Sequence, residues 1–382
     1  MSTQLPGSHD KLLFTPGPLT TSHAVKAAML HDAGSWHFEF NAIVARIRER
    51  LLALAGLSRA DGWEVILLQG SGTFGVEAIF QTCVPPQGKV AVLANGAYGE
   101  RIVQMLHHAR IDHAVLRTPE NVPANPAALD DLLTRDSAIT HVAAVHCETT
   151  TGILNPIDAL GQVARQHRRL YIVDAMSSFG ALPIDFAANG IDFLVSSSNK
   201  CIEGVPGFSF VFCRRPLLES CAGHARSLSL DLLAQLKGFD KNGQFRYTPP
   251  THVLLAFDQA LKELEAEGGR PGREARYRQN HAVLIAGLLS LGLHPHLDPA
   301  VQSPIITAVD FPNDPHFSFD GLYRRLSDRG FIIYPGKLTQ CETFRVGSIG
   351  RLTSGDMEQL VFAIGAALRE MGCSVPFTAR PA

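Results

Sequence analysis

Phe193-Leu194-Val195-Ser196-Ser197-Ser198-Asn199-Lys200-Cys201-Ile202-Glu203-Gly204-Val205-Pro206-Gly207 decides how this chain is read. An apolar run of strand length enters a hydroxyl-rich turn, reaches a lysine and leaves through Gly and Pro. Twenty-six residues before that lysine, Tyr171-Ile172-Val173-Asp174-Ala175-Met176-Ser177-Ser178 ends another apolar run on an acid. Working outward, strand-length runs at Val65–Leu68, Val90–Leu93, Ala114–Leu116, Val142–Val145, Leu170–Val173, Phe193–Val195 and Phe208–Phe212 alternate with helical patterns. Those helical patterns lie at Thr73–Thr82, Tyr98–Ala109, Asn125–Leu133 and Ile157–His167. Such alternation predicts an α/β fold with a mainly parallel, doubly wound sheet. Runs that are apolar throughout fit a sheet covered on both faces.

The two strand ends carry chemistry. A partly buried lysine amine loses its proton more readily and then attacks an aldehyde to form a Schiff base. A carboxylate that stays ionised pairs with a pyridinium nitrogen and keeps the ring an electron sink. Asp174 and Lys200 therefore have the layout of a pyridoxal phosphate site. Taken singly, an Asp or Lys at a strand end is ordinarily a solvated loop residue. Lysine is scarce here, however: only Lys11, Lys26, Lys89, Lys200, Lys237, Lys241, Lys262 and Lys337 occur. Lys200 sits among small hydroxyl residues before a glycine-rich stretch that lets backbone approach a ligand. Lys337, in Tyr334-Pro335-Gly336-Lys337, is the competitor, and it has no acid upstream at a matching strand end.

Other strand ends add to the site. Val65–Leu68 runs into Gln69-Gly70-Ser71-Gly72-Thr73-Phe74-Gly75, a phosphate cradle in which the amides of Ser71, Gly72 and Thr73 open a helix. Read as a dinucleotide fingerprint, it calls for an acid at the next strand end, where Asn95 stands instead. Asn95-Gly96-Ala97-Tyr98 offers Tyr98 to stack on a flat ring, although core packing explains a lone aromatic as well. His146-Cys147-Glu148-Thr149-Thr150-Thr151-Gly152 supplies three hydroxyls, and Thr151 or Asn155, before Pro156, equally reads as a helix cap. In Phe344-Arg345-Val346-Gly347-Ser348-Ile349-Gly350-Arg351, an arginine suits bidentate capture of an anion. Arg345 and Arg351 are rivals for that role.

The 382 residues exceed one ordinary core, so two domains are expected. The first covers residues 21–268 after an N-terminal segment 1–20, and the second, residues 269–382, is a smaller α+β domain. The boundary falls at the cluster Glu267–Pro271, between a helix from His252 to Glu267 and another from Tyr277 to Leu291. The strands Ile305–Phe311, Phe331–Tyr334 and Phe344–Gly347 and a closing helix Ser354–Met371 complete it. A net charge of -2 leaves no footprint for nucleic acid. The longest apolar stretch, Ala282–Leu293, is too short for a bilayer, and Met1–Asp10 has no signal-peptide core. Seven scattered cysteines without a CxxC argue for a reducing cytoplasm. Sixteen histidines cluster only at His107-His108 and His294-Pro295-His296, so no metal is expected.

These motifs together resemble the fold type I pyridoxal-phosphate enzymes of the class V aminotransferase group, over nearly the whole chain. The resemblance rests on Phe14-Thr15-Pro16-Gly17-Pro18, the serine–glycine turn, the aromatic after Asn-Gly, the Glu-hydroxyl-Thr-Gly stretch, Asp174, and Asn199-Lys200. It implies that Lys200 carries the cofactor covalently and that Asp174 holds the ring nitrogen. It further implies that Ser71, Gly72 and Thr73 hold the phosphate, Tyr98 stacks on the ring, Thr149 donates to the ring oxygen and Arg345 anchors the substrate anion. Thr248, in Arg246-Tyr247-Thr248-Pro249-Pro250, matches a threonine that completes the phosphate site of a partner subunit, so the implied assembly is a homodimer. The implied reaction moves an amine from an aminophosphonate to pyruvate, giving alanine. An alanine- or serine–glyoxylate type and a lyase on a related aminophosphonate are the alternatives.

Overall fold

The computed structural model describes residues 10–339 and 341–378, so the reading of Met1–Asp10 lies almost wholly outside the described residues. A seven-stranded sheet forms the centre. From edge to edge its order is Trp63–Gln69, Phe208–Arg214, Phe193–Ser197, Leu170–Asp174, Ile139–Val145, Lys89–Ala94 and Asp112–Arg117. Phe208–Arg214 runs antiparallel to both neighbours, and the other adjacent pairs are parallel. Except for the edge strand Asp112–Arg117, which is half-buried with exposed ends, the strands are buried almost end to end because helices cover both faces. Phe208, Phe210 and Phe212 are fully buried, and Phe208 meets Phe257 edge-on at 4.9 Å. Burying each such ring contributes about 1.5–3 kcal/mol.

Helices Gly72–Cys83 and Ala97–His108 follow the strands Trp63–Gln69 and Lys89–Ala94. Helix Pro126–Arg135 starts where its sequence says it should. Pro126 occupies the first turn, and the Asn125 side chain accepts from the amides of Ala127 and Ala128. A second hydrophobic core gathers Leu284, Leu288, Val309, Phe344, Leu360 and Ile364 between helices Gly269–Ser290 and Ser354–Glu370 and a small antiparallel sheet. That sheet has the order Ile306–Asp310, Thr343–Gly347, Tyr334–Pro335. Phe14 joins this core, and Leu12–Leu13 pairs parallel with Phe331–Ile332. Among the described residues no helix is long and apolar enough to cross a membrane.

Three local expectations change. The helix expected from Tyr277 begins at Gly269, because Pro271 falls in its first turn, where its missing donor costs nothing. The single strand expected at Phe331–Tyr334 is two short ones: Phe331–Ile332 faces the N-terminal strand and Tyr334–Pro335 faces Thr343–Gly347. Neither Thr151 nor Asn155 caps helix Ile157–Gln166, whose N-cap is Pro156 with no side-chain bond. Asn155 is buried instead among strand ends, where it exchanges hydrogen bonds with Asn95 and donates to the Val145 carbonyl.

Candidate active site

The C-terminal ends of the parallel strands converge on one side of the sheet, where a doubly wound fold opens its ligand crevice. Asp174 ends its strand there, buried, with one carboxylate oxygen accepting the Met176 amide at 2.9 Å. Burial lifts its pKa to about 6; the Met176 amide and the cations Lys200 and Arg101 pull the other way, while Glu148 adds to the rise. Lys200 lies past the end of Phe193–Ser197, and its Nζ donates to the Pro16 carbonyl at 2.6 Å. Desolvation lowers the lysine pKa against the pull of Tyr98, Cys201 and Asp174, and Arg345 lowers it further. A neutral amine is therefore within easier reach than for a lysine in water.

Gly17 shapes the lysine's berth. Its φ is +122°, and a Cβ there would stand 2.6 Å from the Lys200 Nζ. Only glycine leaves that space. Behind the lysine, the backbone is fixed by a buried ionic cluster. Arg276 and Tyr277 both donate to Glu203, at 2.7 and 2.6 Å, and Arg273 donates to the Cys201 carbonyl at 2.5 Å. Glu267 pairs with both arginines. Glu203 itself holds a left-handed φ of +64°, which this cluster over-determines. Sequence reasoning missed these residues; the signal was two arginines and a tyrosine on one helix face at Arg273, Arg276 and Tyr277.

A cavity beside these groups is lined by Gly72, Thr73, Tyr98, Arg101, Asp174 and Met176. Ser71 is the N-cap of helix Gly72–Cys83, yet its side chain makes no capping bond, so the first amides stay open to an anion. Arg101 lies 4.8 Å from the centre of the Tyr98 ring and donates to the Thr73 hydroxyl at 3.4 Å. Lys337 approaches the same ring at 5.8 Å. Burial opposes the Tyr98 phenolate, but the Thr149 hydroxyl beside it and the cations Lys200, Lys337 and Arg101 outweigh that, and its pKa falls below the usual value.

Glu148 was not anticipated as a site residue. Fully buried, it accepts from the amides of Tyr98 and Gly99 at 3.1 and 3.2 Å and from the Thr150 hydroxyl at 2.5 Å. It thus caps helix Ala97–His108 across a gap of fifty residues and sets where Tyr98 stands. Gly96 makes room for it: a Cβ there would lie 2.4 Å from the Glu148 Cγ.

Arg345 is buried on the strand Thr343–Gly347 and donates to the carbonyls of Pro335 and Thr149, each at 2.9 Å. Among the described residues no carboxylate lies within ion-pair distance of it. Arg351, its sequence rival, is exposed, and its own amide bonds the Thr20 carbonyl. Thr248 is exposed, and its carbonyl accepts from Gln69 at 3.1 Å, close to the open helix end.

The donor set fits pyridoxal phosphate: open amides and hydroxyls for a phosphate, an unshared carboxylate oxygen on Asp174 for a ring nitrogen, an aromatic face, and a desolvated amine. Residues 20–333 match the family model for aminotransferase class-V. The chain belongs to the class V aminotransferases. The class V family implies pyridoxal phosphate as cofactor. Two curated relatives are each 50% identical over 94% of this chain and carry the name 2-aminoethylphosphonate–pyruvate transaminase. One, from Syntrophobacter fumaroxidans, is covered over 97% of its own length. The other, from Salmonella typhimurium, is covered over 98%. Alanine–glyoxylate aminotransferase from Nostoc sp. superposes with a TM-score of 0.89 at 24% identity, covering 97% of this chain and 98% of that one. Pyridoxamine–pyruvate aminotransferase from Mesorhizobium loti gives 0.88 at 23% identity, covering 97% and 95%. These likenesses establish the fold of this class V chain.

Proposed function

We propose that this class V enzyme transfers the amine of 2-aminoethylphosphonate to pyruvate, giving phosphonoacetaldehyde and L-alanine, with pyridoxal phosphate as cofactor. The observation that carries the anionic substrate is Arg345, a buried guanidinium held by two carbonyls and, among the described residues, without a carboxylate partner. Its planar fork suits a phosphonate in one half-reaction and a carboxylate in the other. The relatives at 50% identity that carry this activity's name support the particular donor.

When bound, pyridoxal phosphate supplies an aldehyde that captures the amine and a ring that withdraws electrons from the adjacent C–H bond. Lys200 is the residue that would hold the cofactor covalently and, when free, would serve as the base. Its neutral Nζ would take up and return the proton of the amine-bearing carbon. Asp174 presents a carboxylate to the ring nitrogen and holds a proton there. Ser71, Gly72 and Thr73 receive the phosphate, and Tyr98 supports the ring face. Thr149 offers its hydroxyl to the ring oxygen. We assign residues 21–268 to the cofactor domain and 269–382 to a small domain, a division supported by the two larger hydrophobic cores, with a third, small cluster that includes Cys147, Cys201, Tyr277 and Ile305 spanning the boundary. Thr248 reaching a second subunit's phosphate site makes the working unit a homodimer.

The test is a coupled assay for alanine from 2-aminoethylphosphonate and pyruvate. Stoichiometric alanine and phosphonoacetaldehyde are expected. Release of ammonia or phosphate without pyruvate would make the enzyme a lyase. Turnover with glyoxylate but not pyruvate would move it to the glyoxylate type.

A further inference from the structure

Away from the crevice, three segments of the C-terminal unit bring together a histidine, a carboxylate and a thiol that no step above uses. The ligand-bearing atoms of His296, Asp310 and Cys341 all lie within 4.8 Å of one another. His296 Nδ1 is 2.8 Å from Asp310 Oδ1 and 3.8 Å from Cys341 Sγ. In a tetrahedral zinc site, with Zn–S about 2.3 Å and Zn–N or Zn–O about 2.0–2.2 Å, neighbouring donors stand about 3.3–3.6 Å apart. The observed separations bracket that range.

The backbone already fixes the three segments side by side. His296 N donates to the Ala308 carbonyl at 2.9 Å and Asp310 N to the His294 carbonyl at 3.0 Å. Phe311 N donates to the Glu342 carbonyl at 3.1 Å, and Asp310 pairs in register with Thr343, two residues beyond Cys341. Ligands held by a sheet ladder need little reorganisation to accept an ion. Cys341 is exposed, whereas Cys83, Cys147, Cys201, Cys213, Cys221 and Cys373 are buried. The site is therefore open to solvent on its thiol side, which provides an entry path and a fourth position for water.

We propose that His296, Asp310 and Cys341 form a binding site for a divalent ion of the zinc class. Sulfur, imidazole nitrogen and carboxylate oxygen together favour zinc or cobalt over magnesium or calcium, which take oxygen-only sets. Binding breaks the Cys341 S–H bond, whose proton leaves to solvent while the thiolate pair bonds the ion, and the His296 imidazole shifts to the tautomer protonated on Nε2, which frees the Nδ1 lone pair now directed at Asp310. The negative charges of Asp310 and Glu120, which bear on this thiol, are then offset by the cation. Sequence spacing hides the site, because the donors come from positions 296, 310 and 341, with no short motif.

The experiment uses the full-length holoenzyme, dialysed free of metal, with Zn²⁺ titrated against a chromophoric chelator. One tight zinc per chain is expected, weakened at least ~10-fold in Cys341→Ser and in His296→Gln. Co²⁺ should give tetrahedral d–d absorption beyond the cofactor bands in the parent and not in Cys341→Ser. Zinc should also slow iodoacetamide modification of Cys341 in the unmutated enzyme, a readout that needs no variant to fold. Unchanged zinc affinity in both variants, loss of binding on mutating His107 and His108 instead, or unprotected Cys341 alkylation would each overturn the proposal.

Discussion

The carboxylate of Glu148 receives the backbone amide of Tyr98 at 3.1 Å, so an acid past one strand end positions the aromatic in the first turn of helix Ala97–His108. Removing it takes away the acceptor of two backbone amides at a helix N-terminus and leaves a void beside Gly96. Glu148→Ala should lower stability by about 1–2 kcal/mol and speed cofactor loss on dialysis, with Glu148→Gln recovering most of the stability. Denaturant midpoints and cofactor retention measure both. An alanine variant that holds cofactor as the parent does would remove Glu148 from the site's architecture.

Lys200→Ala should abolish borohydride trapping of cofactor on the chain and cut transamination by about 10³-fold or more. Peptide mass mapping after reduction decides the matter. Lys337 is the informative alternative, since its Nζ faces the same Tyr98 ring. A trapped adduct on Lys337 in the parent would transfer the role.

Asp174 gives a pH signature in the cofactor-free enzyme. Its folded pKa of about 6 stands above the ordinary 3.8. The folded chain therefore keeps this proton through a window in which the unfolded chain has lost it. That stabilisation is full below about pH 4 and is lost as pH rises through about 6. Asp174→Asn is neutral throughout and escapes the loss. It should be more stable than the parent at pH 8, by up to about 3 kcal/mol, with the gap closing below about pH 4. The loaded variant should still lose most of its turnover, because an amide cannot balance a protonated ring nitrogen. Chemical denaturation across that pH range, run without cofactor, is the check; equal stability at pH 8 would contradict it.

Arg345→Lys keeps the charge but loses the planar fork and its two carbonyl contacts. Both half-reactions, with 2-aminoethylphosphonate and with alanine, should slow about 10- to 100-fold in kcat/KM. Stopped-flow spectra of each half-reaction report this separately. Normal rates in both would send the anion elsewhere.

Thr248→Ala tests assembly. A cofactor held by two chains strengthens their association, so sedimentation of the parent at low concentration should show more dimer with pyridoxal phosphate than without. The variant should show a smaller difference. A fully loaded parent that stays monomeric would end the cross-subunit assignment.

Much of this architecture is legible in the sequence, and for a physical reason. Strands buried on both faces must be apolar throughout, so polar residues such as Asp174 and Lys200 mark their ends, which is where the crevice opens. Short-range chemistry is legible too: the glycine turn before helix Gly72–Cys83 and the Asn125–Pro126 helix start both lie within a few residues. What escapes is pairing across long separations. Glu148 with Tyr98, Glu203 with Arg276 and Asn155 with Asn95 depend on which strand ends become neighbours, and no local pattern encodes that. The helix start at Gly269 escapes for the opposite reason, since Pro271 looks like a breaker unless its place in the first turn is known.

Pro16 and Gly17 follow the strand Leu12–Leu13, which is paired with Phe331–Ile332, whereas Lys200 follows the strand Phe193–Ser197 of the large sheet. The Lys200 amine thus rests on a carbonyl whose chain is anchored in a different sheet from its own. Trimming the chain before Phe14 would remove the strand pairing that anchors this carbonyl without touching a single group in the crevice.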